Sequence, residues 1–146
     1  PPIRSRIMSS IRGKDSQPEK LVRRLLFASG FRYRLHRRDL PGSPDIVLGR
    51  RRVVIFVHGC FWHRHEGCRY AKVPGSRTEF WTSKLERNVE RDRTSVKVLR
   101  ELGWRVLCVW ECSTRDVGLH ADLQRSLKNW IESDSTSFEI SPKSLK

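Results

Sequence analysis

Two groups of residues in this chain have types and spacings suited to metal chemistry. The first is Cys60-x4-His65-x2-Cys68, with Cys112 far downstream. Three thiolates and one imidazole match a closed, tetrahedral structural zinc site. His63 competes with His65 for the imidazole place. The plain alternative is a set of reduced, partly buried cysteines, since no secretory signal argues for disulfides. Cys108 alternates with Val106 and Trp110 in an apolar run and reads as a small core residue rather than a ligand.

The second group is Asp45, His58, His63 and Asp92. Each has an ordinary account. Asp45 can cap the turn after Pro44, His58 can be a satisfied buried histidine, His63 a zinc ligand, and Asp92 a partner of Arg91 or Arg93. Together they suit hydrolysis. Asp45 and the backbone carbonyl of Val57 offer two hard oxygens. Mg²⁺ takes such ligands, keeps several waters and completes its shell with phosphate oxygens. A nearby histidine can take a proton from the attacking water. A buried acid such as Asp92 can fix that histidine's tautomer and stabilise its charged form. The implied reaction is metal-assisted phosphodiester hydrolysis. For two aromatic pairs, Phe61-Trp62 and Phe80-Trp81, core packing is the usual fate, but Phe61-Trp62 beside His63 can instead wedge between bases and unstack a step.

Hydrophobic pattern and turn residues assign the secondary structure that carries these side chains. Ser16, Pro18 and Glu19 open a helix over residues 16–29 in capping-box form, and Leu21, Val22, Leu25 and Leu26 form its buried stripe. Residues 31–35 alternate as a strand. DLPGSPD is a turn, followed by a hairpin of strands 45–48 and 53–57 around Gly49-Arg-Arg-Arg52. Pairing Leu48 with Val53 sets Asp45 beside Phe56 and Val57. The second strand is apolar on both faces and is expected at the centre of the sheet. Residues 58–77 read as an irregular loop. A long helix over 78–102 carries Leu85, Val89, Val96 and Leu99, and Asp92 falls on that stripe with Asn88 one turn earlier. Strand 104–111 and helix 119–131 complete a single mixed α/β domain. The expected organisation is a basic arm at 1–14, a domain at 15–132 and a polar, mobile tail at 133–146.

Charge points to the partner. The 146 residues carry 30 Lys and Arg against 16 Asp and Glu, a net +14. Residues 1–38 hold eleven Lys or Arg and two acids, so the excess is concentrated at the N-terminal end. Such a field attracts nucleic acid first and an acidic membrane surface second. No apolar run exceeds the five residues of 53–57, far short of the roughly 20 a spanning helix needs. A cytoplasmic, nucleoid-associated protein is expected, with no membrane role.

PGSPDIV, VIFVHGCFWHRHEGC, KVPGSRTEFW, NVERD and LGWRVLCVWEC closely resemble the very-short-patch repair (Vsr-type) DNA mismatch endonucleases. The resemblance runs from about Arg4 to Ile131. It implies a restriction-endonuclease-like fold and a monomer that nicks duplex DNA 5′ of the T in a T:G mismatch left by deaminated 5-methylcytosine. It implies catalytic Mg²⁺ at Asp45 and the Val57 carbonyl, with His63 near the attacking water and Asp92 as its acidic partner. His58 would lie at the scissile phosphate and Glu19 near the metal waters, a second job beside capping. It implies structural Zn²⁺ on Cys60, His65, Cys68 and Cys112. Phe61, Trp62 and Trp81 match the aromatic wedge, Met8 and Ile11 the gripping arm, and Asn88 joins the DNA-contacting set. A cytosine-5 DNA methyltransferase and mismatch-repair proteins are the implied functional partners. The acid-x-Lys pair usual in that fold is replaced by Val57-His58-Gly59. Two other readings stay open: a restriction-type endonuclease on the same fold, and a non-catalytic, zinc-stabilised DNA-binding module.

Overall fold

The structure is a computed structural model describing residues 15–145. The arm, with Met8 and Ile11, lies outside the described residues. The elements run α1 (Gln17–Ala28), β1 (Arg34–Leu35), β2 (Ile46–Leu48), β3 (Val53–His58), α2 (Thr78–Glu101), β4 (Arg105–Trp110), α3 (His120–Ile131) and β5 (Ser137–Ile140). The strands form one sheet in the order β1-β2-β3-β4-β5. The first three are antiparallel, and β3–β4 and β4–β5 are parallel.

Side-chain alternation along the strands builds two cores. Ile46, Leu48, Val53, Ile55, Leu107 and Val109 face α1 and α3, meeting Val22, Leu26, Leu123 and Leu127. Val47, Val54, Phe56 and Val106 face the other way and meet Leu99 and Val96 of α2. β3 is buried along nearly its whole length, the consequence of cover on both faces. The same parity carries Asp45, His58 and Cys108 to the side of the sheet that α2 covers.

The hairpin pairs Leu48 with Val53, as the alternation requires. Arg52 closes it in the left-handed region at φ 56°, and its guanidinium bonds the Leu102 carbonyl at 2.9 Å. The expected strand at 31–35 shortens to Arg34–Leu35, whose two residues are both exposed and have little to bury.

The C-terminal segment differs from expectation. Residues 137–140 are not a mobile tail but β5, paired in parallel with β4, and Ile140 is fully buried. Arg105 fastens the approach by donating to the carbonyls of Trp130, Ile131, Ser133 and Ser135. The Trp110 indole N–H reaches Glu139 at 2.6 Å.

Candidate active site and metal centre

The C-terminal ends of the parallel strands β3 and β4 meet at one edge of the sheet, with His58 opposite Trp110. Chain continuing from each strand therefore delivers Cys60 and Cys112 to the same place. The donor atoms of Cys60, His65, Cys68 and Cys112 all lie within 4.8 Å of one another. A tetrahedral zinc with bonds of 2.0–2.3 Å wants donors about 3.5 Å apart, and Cys112 Sγ stands 3.4 Å from His65 Nδ1. Around this cluster the loop is wound into successive turns, with the His65 N–H on Cys60 O at 2.9 Å and the Cys68 N–H on His65 O at 3.3 Å. The Cys112 N–H points at Cys60 Sγ from 3.4 Å, the outer contact expected of a thiolate ligand. The His65 ring is stacked on Trp110 at 4.1 Å, which fixes its plane. Burial pushes the Cys60 and Cys112 thiols up, so ionising them there calls for a cation. The donor set thus fits zinc, with His65 and not His63 in the imidazole place.

His63 is engaged elsewhere. Its Nδ1 donates to Asp92 Oδ2 at 2.6 Å. A carboxylate only accepts, so Nδ1 carries the proton and Nε2 is the basic nitrogen. The His63 ring lies flat on His58 at 3.8 Å between centroids and 3° between planes. His58 Nδ1 is 3.3 Å from Cys108 Sγ. Burial pushes His58 well below the usual histidine range, and His63 pushes it the same way, so His58 is neutral at pH 7. Asp92 is not buried. Its side chain is 29% exposed, because the stripe of α2 at this turn faces a cleft rather than the core.

Asp45 faces the same cleft. Its Oδ2 accepts the Val57 N–H at 2.8 Å, which fixes the carboxylate beside the end of β3. Burial pushes the Asp45 carboxyl up, against the Val57 N–H and the nearby His36, His63 and Arg23. Gly42 makes the approach possible. Its φ is +77°, and a Cβ there would stand 2.8 Å from Ser95 Cβ on α2. The PGSPD turn therefore lies directly on α2, and the site is closed from that side.

Glu19 is 2% exposed and also lines the cleft. Ser16 caps α1 by accepting the Glu19 N–H at 3.3 Å. Glu19 does not complete the capping box. Its Oε2 instead takes His36 Nε2 at 2.7 Å and the Arg23 guanidinium. His36 and Arg23 carried no sequence signal, because His36 joins Glu19 across 17 positions through a left-handed backbone at φ 51°.

The cleft has a volume of about 1180 Å³, with Asp45, His58, His63 and Asp92 on its wall and Lys84, Arg87 and Arg91 along α2. At its rim Phe61, Trp62 and Trp81 pack edge to face, with centroids 4.9 to 6.0 Å apart. Trp62 is the buried base of this cluster at 7% exposure, while Phe61 and Trp81 are half-buried. Lys84 Nζ lies 5.9 Å from both tryptophan rings. Asn88 Nδ2 donates to the Trp62 carbonyl at 3.0 Å and so holds the aromatic loop on α2.

Residues 1–69 match the family model described as DNA mismatch endonuclease Vsr. The type II nicking enzyme V.XorIIP of Xanthomonas oryzae pv. oryzae is 48% identical over 132 residues, covering 90% of this chain and 94% of its own length. The DNA mismatch endonuclease Vsr of Escherichia coli is 46% identical over 139 residues, 94% of this chain and 88% of its own. The type II nicking enzyme V.NmeAIP of Neisseria meningitidis is 43% identical over 113 residues, 77% and 80%. At 46–48% identity over nine-tenths or more of its length to two such enzymes, this chain belongs to the Vsr family of DNA mismatch endonucleases.

Proposed function

We propose that this protein nicks one strand of duplex DNA 5′ of the T in a T:G mismatch, by Mg²⁺-dependent hydrolysis, on a restriction-endonuclease-like domain. The observation that carries the reading is the convergence of Asp45, the His63–Asp92 pair and the aromatic rim on one cleft. Asp45 and the Val57 carbonyl are the residues that would hold Mg²⁺. Bound there, the ion would supply charge stabilisation at the phosphate and lower the pKa of the attacking water.

The chain's own groups do the rest. His63 Nε2 accepts the proton of the attacking water, and Asp92 stabilises the imidazolium so formed. His58, held neutral by burial and by its stack on His63, accepts the Cys108 S–H at Nδ1 and donates its Nε2–H to the scissile phosphate. Glu19, buried at the cleft wall, orders water around Asp45. Phe61 and Trp81, on the buried Trp62, enter the base stack. A mismatched step opens at the least cost, a few kcal/mol, so the wedge itself favours mismatches. Lys84, Arg87 and Arg91 neutralise phosphates along α2. Cys60, His65, Cys68 and Cys112 would hold a structural zinc, which would tie the loop bearing Phe61 and His63 to the end of β4. The basic arm, with Met8 and Ile11, grips the duplex from its other side. We also propose that the enzyme acts as a monomer and guards the site of a cytosine-5 DNA methyltransferase, in concert with mismatch-repair proteins.

The test uses end-labelled duplexes with one T:G mismatch in varied flanks, beside T:A and C:G controls. Incision mapped to the bond 5′ of the mismatched T, with intact controls, is the expected result. Equal cutting of the controls would make it a general endonuclease. Tight binding with no cutting in any flank would make it a binding module.

A further inference from the structure

We propose that His36 is a positioning residue of the catalytic centre: it locks the Glu19 carboxylate of α1 to the backbone of Asp45, so that two acids from separate elements keep one register. The inference rests on the reaction proposed above. A carboxylate as buried as Glu19 must be paired, and its Oε2 accepts His36 Nε2–H at 2.7 Å. The main-chain N–H of the same His36 donates to the Asp45 carbonyl at 3.0 Å. His36 therefore touches both acids, one through its ring and one through its backbone.

Its conformation supports a role beyond filling space. At φ 51° it occupies the left-handed region, which residues other than glycine adopt at a cost. Asp15, on the far side of the same cluster, is also left-handed at φ 63° and is paired with Arg23. Arg23 is the second arm of the clamp, its guanidinium meeting Glu19 Oε2 from one turn along α1. Both arms fall on Oε2, which leaves Oε1 as the acceptor they do not use. The donor atoms of Asp15, Glu19 and His36 are close enough to hold a cation. The Arg23 guanidinium stands on the same oxygen, however, and a cation there would meet a fixed positive charge. The cluster is a clamp on Glu19 and not an ion cage.

Outer partners of this kind matter to metal-site acids by about 10–100-fold in affinity or activity. The experiment compares wild type, His36→Ala, His36→Gln, Glu19→Gln and the double variant His36→Ala/Glu19→Gln. Mg²⁺ binding is followed by titration calorimetry, and single-turnover nicking by gel on a T:G duplex. His36→Ala is expected to weaken Mg²⁺ binding and slow nicking by about 10–100-fold. His36→Gln, which keeps a side-chain N–H of similar reach, recovers most of both. In the Glu19→Gln background His36→Ala costs little more, because its effect runs through Glu19. Wild-type binding and rate in His36→Ala would overturn the proposal. So would full additivity in the double variant, or a Gln variant as impaired as Ala with a lowered Tm, which marks a purely structural histidine. If wild type binds Mg²⁺ but nicks no T:G duplex, the proposed reaction fails, and the calorimetric series alone still decides the role of His36.

Discussion

At the scale of single residues, the arrangement of His63 and Asp92 sets which imidazole nitrogen is left able to accept a proton. The 2.6 Å bond holds the proton on Nδ1 and presents Nε2. Asp92→Asn removes the charge and lets the amide donate, which reverses the tautomer. Single-turnover nicking should then fall by about 10³–10⁴-fold, while duplex binding followed by fluorescence anisotropy stays at the wild-type level. A matching loss of binding would mean that Asp92 shapes the cleft rather than the proton transfer. Asp92 was legible because an acid interrupts the Leu85, Val89, Val96, Leu99 stripe. Its half-exposure was not, since periodicity names a face of a helix but not whether core or cleft lies opposite. The Asp45–Val57 contact was legible too, because hairpin register is fixed by which side chains must be buried. The Glu19–His36–Arg23 cluster was not, because nothing in the residue order announces a left-handed histidine 17 positions from its partner.

At the scale of elements, the site depends on two close approaches. One is the PGSPD turn on α2. Gly42→Ala places a Cβ 2.8 Å from Ser95 Cβ in a left-handed residue, and strain and overlap together should cost about 2–4 kcal/mol. Chemical denaturation reads this, and Ser95→Gly in the same chain should return only the overlap part. An unchanged midpoint would mean that the turn can leave α2 freely. The other approach is the parallel pairing that brings Cys60 to Cys112. One zinc per chain should be found by elemental analysis, absent in Cys112→Ser, with the aromatic loop losing amide-exchange protection when the metal is chelated. Zinc retained at full stoichiometry in Cys112→Ser would refute this ligand set. The types and number of the cysteine and histidine residues pointed to a cluster able to hold a metal, and the fold brings those four together. The choice between His63 and His65 needed the fold, in which Asp92 claims one ring and Trp110 stacks on the other.

At the scale of the whole molecule, charge, sheet and cleft agree. The net +14 suits a polyanion, and α2 carries Lys84, Arg87 and Arg91 along the cleft wall. None of the helices among the described residues is long and apolar enough to cross a membrane. The fold reaches further along the chain than its polarity suggests. SDSTSFEISPK offers only Phe138 and Ile140 to an apolar pattern, too few to reveal an edge strand whose partner supplies the ladder. Ile140 is nonetheless fully buried in the core beneath α3, so Ile140→Ala should cost about 2–5 kcal/mol in thermal or denaturant unfolding. A silent substitution would return the segment to a loose tail. The proposed chemistry is hydrolysis of one phosphodiester bond by the Asp45 carboxylate and the His63–Asp92 pair with Mg²⁺. The deciding experiment is nicking of a T:G duplex by wild type, Asp45→Ala and Asp92→Asn, each in Mg²⁺ or EDTA, with binding of the same duplex measured in parallel. Wild type is expected to make one nick in Mg²⁺ and none in EDTA, and neither variant is expected to nick above background while both still bind. Undiminished nicking by Asp45→Ala, or by wild type in EDTA, would contradict this chemistry.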